Sequence, residues 1–178
     1  MFAKLFSWLS ARASSRRTVD RLHGAIVEAA RAPALFLDYG APDTLEGRFE
    51  MLTLHAALAL RRLNAMAAPG PELAQDLVDA VFAHFDATLR EMGVGDPSVP
   101  KRMKTLAEAF LGRSLAYETA LGDGARLEAA LKRNVYAGAG DAARLARYAQ
   151  AARAALDVAP VEAFFEGRPP FPDPLRVA

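Results

Sequence analysis

Asp43-Thr-Leu-Glu-Gly-Arg-Phe-Glu-Met-Leu-Thr-Leu-His-Ala-Ala-Leu-Ala-Leu-Arg-Arg-Leu63 is the stretch on which the fold turns. Projected at about 100° per residue, it sets Leu45, Phe49, Leu52, Ala56, Leu60 and Leu63 on one stripe, and Met51, Leu54 and Leu58 add a second apolar sector. A helix with two apolar sectors must be covered on both, so this one is expected at the centre of the molecule. Asp43-Thr-Leu-Glu46 reads as its start, a capping box with a carboxylate accepting a backbone N–H and Glu46 reaching back. Between the sectors run Arg48, His55 and Arg62 at seven-residue spacing. A basic line on an otherwise buried helix needs acidic partners or water, so structural pairing is the first reading and contact with a partner the second.

Working outward, Pro69-Gly-Pro71 ends this helix, and a second runs from about residue 71 to a stop at Gly93. It sets Leu73, Leu77, Val81, Phe85 and Leu89 opposite Glu72, Asp76, Asp79 and Asp86. Those carboxylates either answer the basic line or form a solvated face. Val94-Gly-Asp-Pro97 is a turn, and Ser98 and Pro100 open a third helix that reaches Leu121. Its core side is Val99, Met103, Leu106, Phe110, Tyr117 and Leu121, while Thr105, Ala109, Gly112, Ala116 and Ala120 make a smooth stripe. Such a stripe serves close packing of another helix or a groove for a client segment. Lys101, Arg102 and Lys104 in the first turns oppose the helix macrodipole, and they face solvent, an external polyanion or an acidic partner.

Weaker helices are expected at about 125–136 and 141–157, and an earlier one at 18–31 that stops before Pro33. Sustained period-two alternation is absent and no repeat of solenoid period occurs. The fold class is therefore all-α: a single compact domain of about six to seven helices over residues 18–166, with a Pro-rich, irregular tail at 167–178. Residues 1–17 form an amphipathic arm in which Phe2, Leu5, Phe6, Trp8 and Leu9 fall together beside Lys4, Arg12, Arg16 and Arg17. The pattern suits a helix lying in a membrane interface and equally one docked on the domain.

Composition narrows the function. Twenty-two basic against 21 acidic residues leave a net charge of +1, too little for a global attraction to nucleic acid, so any basic surface is local. The chain has no cysteine, which removes disulfides, thiolate metal sites and a cysteine nucleophile. His23, His55 and His84 are scattered and fit no metal-ligand spacing. Gly93-Val-Gly95 follows a helix rather than a strand, and neither a P-loop nor a Gly-x-Ser-x-Gly elbow occurs. No cofactor, metal or small-molecule substrate is expected, and the chain reads as non-catalytic.

Five segments in order carry a family resemblance: Asp43-Thr-Leu-Glu-Gly-Arg48-Phe49; Leu54-His55 with Arg61-Arg62-Leu63; Asp86 with Leu89-Arg-Glu-Met-Gly-Val-Gly-Asp96; Val99-Pro-Lys-Arg-Met-Lys104; and Phe110-Leu-Gly-Arg113 with Ala116-Tyr117. The set resembles the ubiquinol-cytochrome c chaperone family over about residues 20–135. The resemblance implies an assembly factor for the respiratory cytochrome bc1 complex, with newly made cytochrome b or an assembly intermediate as partner, at the cytoplasmic face of a bacterial plasma membrane or, in eukaryotic relatives, the mitochondrial inner membrane. An anionic membrane surface and the ribosome are further partners to consider. The alternative is a helical adaptor holding ribosome or RNA through the basic turn. Candidate partner-binding residues are Arg48, His55, Arg62, Lys101, Arg102, Lys104, Gly112 and Arg113; candidate membrane-contact residues are Phe2, Leu5, Phe6, Trp8 and Leu9.

Overall fold

The computed structural model describes the backbone of residues 2–177 and the side chains of residues 16–177. Six helices of twelve residues or more carry the architecture: α1 (Phe2–Ala30), α3 (Leu45–Asn64), α4 (Gly70–Glu91), α5 (Val99–Ala120), α6 (Gly124–Val135) and α7 (Ala143–Val158). Two five-residue helices, α2 (Pro33–Leu37) and α8 (Val161–Phe165), lie in the connections. There is no strand among the described residues. The expected arm and the helix after it share one unbroken backbone helix, α1; the arm's five apolar side chains lie outside the described side chains.

α3 is the axle, as its two apolar sectors demand. Thirteen of its twenty residues are buried, and α1, α4, α5, α6 and α7 all pack against it. Its start differs from the expected box. Thr44 is the cap, its hydroxyl accepting from the Gly47 N–H at 3.2 Å, while the Asp43 carboxylate turns to the Arg48 guanidinium at 2.7 Å. A charge-assisted bond outweighs a neutral cap for that carboxylate. The loop before α3 crosses so close that a Cβ on Gly47 would stand 1.8 Å from the Pro42 carbonyl oxygen. Gly93 behaves as expected: it takes φ +77°, and the Val94 N–H closes α4 on the Leu89 carbonyl at 3.1 Å.

Long-range polar contacts fasten the ends of the chain to the axle. Arg61 binds Asp157 at 2.5 Å, Arg62 donates to the Ala159 carbonyl at 2.8 Å, and Arg153 reaches the Leu121 carbonyl at 2.9 Å, so α7 is tied to α3 and to the α5–α6 turn. The tail is irregular apart from one turn of 3-10 helix at Pro174–Arg176, yet it is held down. The Tyr39 hydroxyl donates to the buried Pro174 carbonyl at 2.7 Å, and the Phe171 ring packs at a tilt against His55, centroids 5.0 Å apart.

Candidate functional site

The leading end of the α3 stripe is left uncovered. Leu45 is 42% exposed and Phe49 is only half-buried, where Leu54, Ala56 and Leu63 further along are sealed. The two line a half-open cleft of about 750 Å³ between the C-terminal ends of α1 and α4 and the first half of α5. Phe49, Leu52, Phe85, Leu89 and Leu106 supply its apolar surface. Phe49 and Phe85 pack at a tilt with ring centroids 5.2 Å apart, and Phe85 is backed edge-on by the buried Phe110 at 6.3 Å, so one side rests on a packed aromatic layer rather than loose aliphatic surface. The cleft lies along the first half of α5, where Val99 and Phe110 are buried but Met103 and Leu106 between them remain half-buried.

Charge is gathered at this cleft. Arg31, Arg48, Lys101, Arg102 and Arg113 line it, against Glu46 and Glu50. Glu50 is the unusual member, a carboxylate 4% exposed on the most buried helix. The Arg113 guanidinium donates to one of its oxygens and the Tyr117 hydroxyl to the other at 3.4 Å. Burial pushes the Glu50 carboxyl above its ordinary value, with Arg113 and then Tyr117 pulling back. Arg113 also lies over the Phe49 ring, 5.6 Å from its centroid. Arg113 thus joins the charge of α5 to the aromatic layer of α3. His84, on the same lining, stands 5.1 Å from His23 of α1, and burial lowers the pKa of both.

Of the eight candidate partner-binding residues, the structure brings Arg48, Lys101, Arg102 and Arg113 to the cleft. Lys104 is exposed one turn further on, 3.9 Å from Glu108. His55 is a correction: it is wholly buried and offers no contact surface. Its Nδ1 stands 2.7 Å from the Met51 carbonyl and its Nε2 2.8 Å from the Tyr148 hydroxyl, and burial lowers its pKa to about 4. Arg62 is a second correction, its guanidinium committed to the Ala159 carbonyl. Both are structural because they fall on the α7 side of α3, where Tyr148 and the α7–α8 connection close over them. Gly112 is exposed with open space where a Cβ would stand, so the smooth stripe is not packed at that point. Leu111 and Leu115, 62% and 65% exposed, flank it on a separate apolar surface.

Arg31 and Glu50 are charged cleft residues that the sequence reading missed, and His84 stood in it only as one of three scattered histidines. Glu50 had a signal, since a carboxylate between Phe49 and Met51 on a helix apolar over two sectors needs a cation from elsewhere. No group of three or more His, Cys, Asp or Glu is placed to hold a metal among the described residues. Nor, among them, is any helix long and apolar enough to cross a membrane.

The family model described as ubiquinol-cytochrome C chaperone matches residues 37–171. The chain belongs to the ubiquinol-cytochrome c chaperone family. The match begins later and runs further than the resemblance read from the sequence, taking in α7, α8 and Phe171, consistent with the packing of that ring on His55. A solved structure of the Cbp3 homolog from Brucella abortus is 38% identical over the full length of both chains and superposes with a TM-score of 0.87. No curated protein matches the chain at a significant level. For a member of a chaperone family, an open apolar cleft is a more relevant feature than a cluster of acid–base groups.

Proposed function

We propose that this protein is a non-catalytic chaperone of cytochrome bc1 assembly that holds an apolar segment of newly made cytochrome b in the cleft between α1, α3, α4 and α5. The observation that carries the reading is the uncovered end of the α3 stripe: Leu45 is exposed and Phe49 only half-buried in a cleft whose remaining apolar lining comes from α1, α3, α4 and α5. Burying exposed apolar surface on a client is favourable by roughly 25 cal/mol per Å², and a preformed aromatic layer gives it a rigid seat. The chemistry required is holding, not bond making.

The same reading places the protein at the inner face of the bacterial plasma membrane, where cytochrome b is inserted. The one-face spacing of Phe2, Leu5, Phe6 and Leu9, with Trp8 and the flanking Arg12, Arg16 and Arg17, supports an arm lying in the interface. Deleting the gene tests the function: assembled bc1 complex falls while other respiratory complexes keep their levels. A deletion strain with normal bc1 complex overturns the reading.

A further inference from the structure

The cleft's charge is lopsided in a way that a purely apolar client does not explain. The whole chain carries a net charge of +1, yet five cations line this one cleft against two carboxylates. Two of the five are already engaged, Arg48 with Asp43 and Arg113 with Glu50. Arg31, Lys101 and Arg102 form no ion pair with any described residue. Lys101 and Arg102 sit in the first turn of α5, a helix with no acidic residue there and no side-chain cap. The macrodipole makes that end positive before the side chains are added, so two more cations there are mutually unfavourable. An anion seated between them relieves this.

Resting on the reading above, we infer that the segment held in the cleft presents a carboxylate, an acidic residue at the end of an apolar stretch, to the lip formed by Lys101, Arg102 and Arg31. Its apolar part lies on Phe49, Leu52, Phe85 and Leu106, and its acidic end reaches the start of α5. The mixed signs of the lining favour a protein segment over a lipid surface. Glu46 stands exposed on the α3 wall, and a uniformly anionic bilayer would have to meet it too, whereas a segment with a single acidic end does not. The concavity points the same way, because a planar membrane does not reach a recessed aromatic layer.

The test uses the full chain and three fluorescein-labelled helix-forming Leu/Ala peptides of about four turns, ending in Glu-Glu, Gln-Gln or Lys-Lys. Anisotropy titration is expected to rank them in that order, with roughly three- to tenfold between neighbours, the size expected of exposed ion pairs, and to compress as salt rises. The Lys101→Glu/Arg102→Glu variant, shown to be folded by circular dichroism, is expected to invert the ranking. Equal binding of all three peptides, or an unchanged ranking in the variant, overturns the inference while leaving the chaperone reading to the deletion strain. Binding of no peptide, with capture instead by phosphatidylglycerol vesicles that the charge reversal abolishes, overturns it in favour of a lipid.

Discussion

Replacing Arg113 with Met keeps an apolar stem near Phe49 but leaves the Glu50 carboxylate in the cleft wall without its cation. Breaking a buried pair by removing one partner typically costs about 3 to 5 kcal/mol. Arg113 is 30% exposed on its side chain, so water already shares the pairing and the lower part of that range applies. A second limit is chemical. The carboxylate can escape by taking a proton, and at pH 7 that costs an ordinary glutamate, with a pKa of about 4.3, at most about 4 kcal/mol. The expected loss is therefore about 2 to 3 kcal/mol at pH 7, read from urea denaturation midpoints at constant m-value.

The sign of the pH dependence follows from the same group. Burial already raises the Glu50 carboxyl, and removing Arg113 raises it further. A carboxyl raised in the folded state is best tolerated below its unfolded pKa, and its penalty grows as pH rises through the folded value. The Arg113→Met deficit should accordingly shrink between pH 7 and pH 5. The double variant Arg113→Met/Glu50→Gln, which removes the charge and leaves Tyr117 an amide to meet, should recover half or more of the loss. A deficit that does not change with pH, or a double variant whose loss equals the two single losses added, refutes the account of Glu50 as a buried charge held by Arg113.

Three further outcomes follow from the structure. Burial holds His55 neutral, with its pKa near 4 against about 6.5 unfolded, so its contribution is complete above pH 6.5 and lost as pH falls towards 4; wild type should lose up to roughly 3 kcal/mol over that range, and an equal loss in His55→Gln would contradict the assignment. Two helical glycines, Gly47 in the first turn of α3 and Gly112 in the middle of α5, should respond oppositely in thermal melts. Gly47→Ala drives a Cβ onto the Pro42 carbonyl and should cost about 1 to 3 kcal/mol or more, while Gly112→Ala meets open space and should gain up to about 1 kcal/mol. Removing residues 1–17 should shift the protein from the membrane fraction to the supernatant; retention of membrane association would move that contact to the domain.

The sequence already contained the axle and the turns, because they rest on local chemistry. The two apolar sectors of α3 called for cover on both sides, and Gly93 supplied the left-handed stop that α4 needed. The five-residue helices α2 and α8 were not legible, since a single turn has no period to detect. The cap of α3 was misassigned by one residue because Asp43 had a stronger partner in Arg48 than the backbone, which no spacing rule reveals. The site was half legible. Lys101, Arg102 and Arg113 stood out as cations on a mostly apolar scaffold, but whether His55 and Arg62 faced solvent or core depended on Tyr148 and Ala159, 93 and 97 residues away. The cleft was invisible for a related reason: Leu45 and Phe49 have the spacing of core residues, and only the packing of the other helices leaves them open.

Photo-crosslinking in living cells tests the central claim most directly. A benzophenone amino acid at Leu106, on the cleft, is compared with one at Leu111, on the separate exposed surface of the same helix. The account predicts that the Leu106 probe captures cytochrome b and the Leu111 probe captures far less. Equal capture from both positions, or cytochrome b captured from Leu111 alone, would contradict the assignment of the cleft.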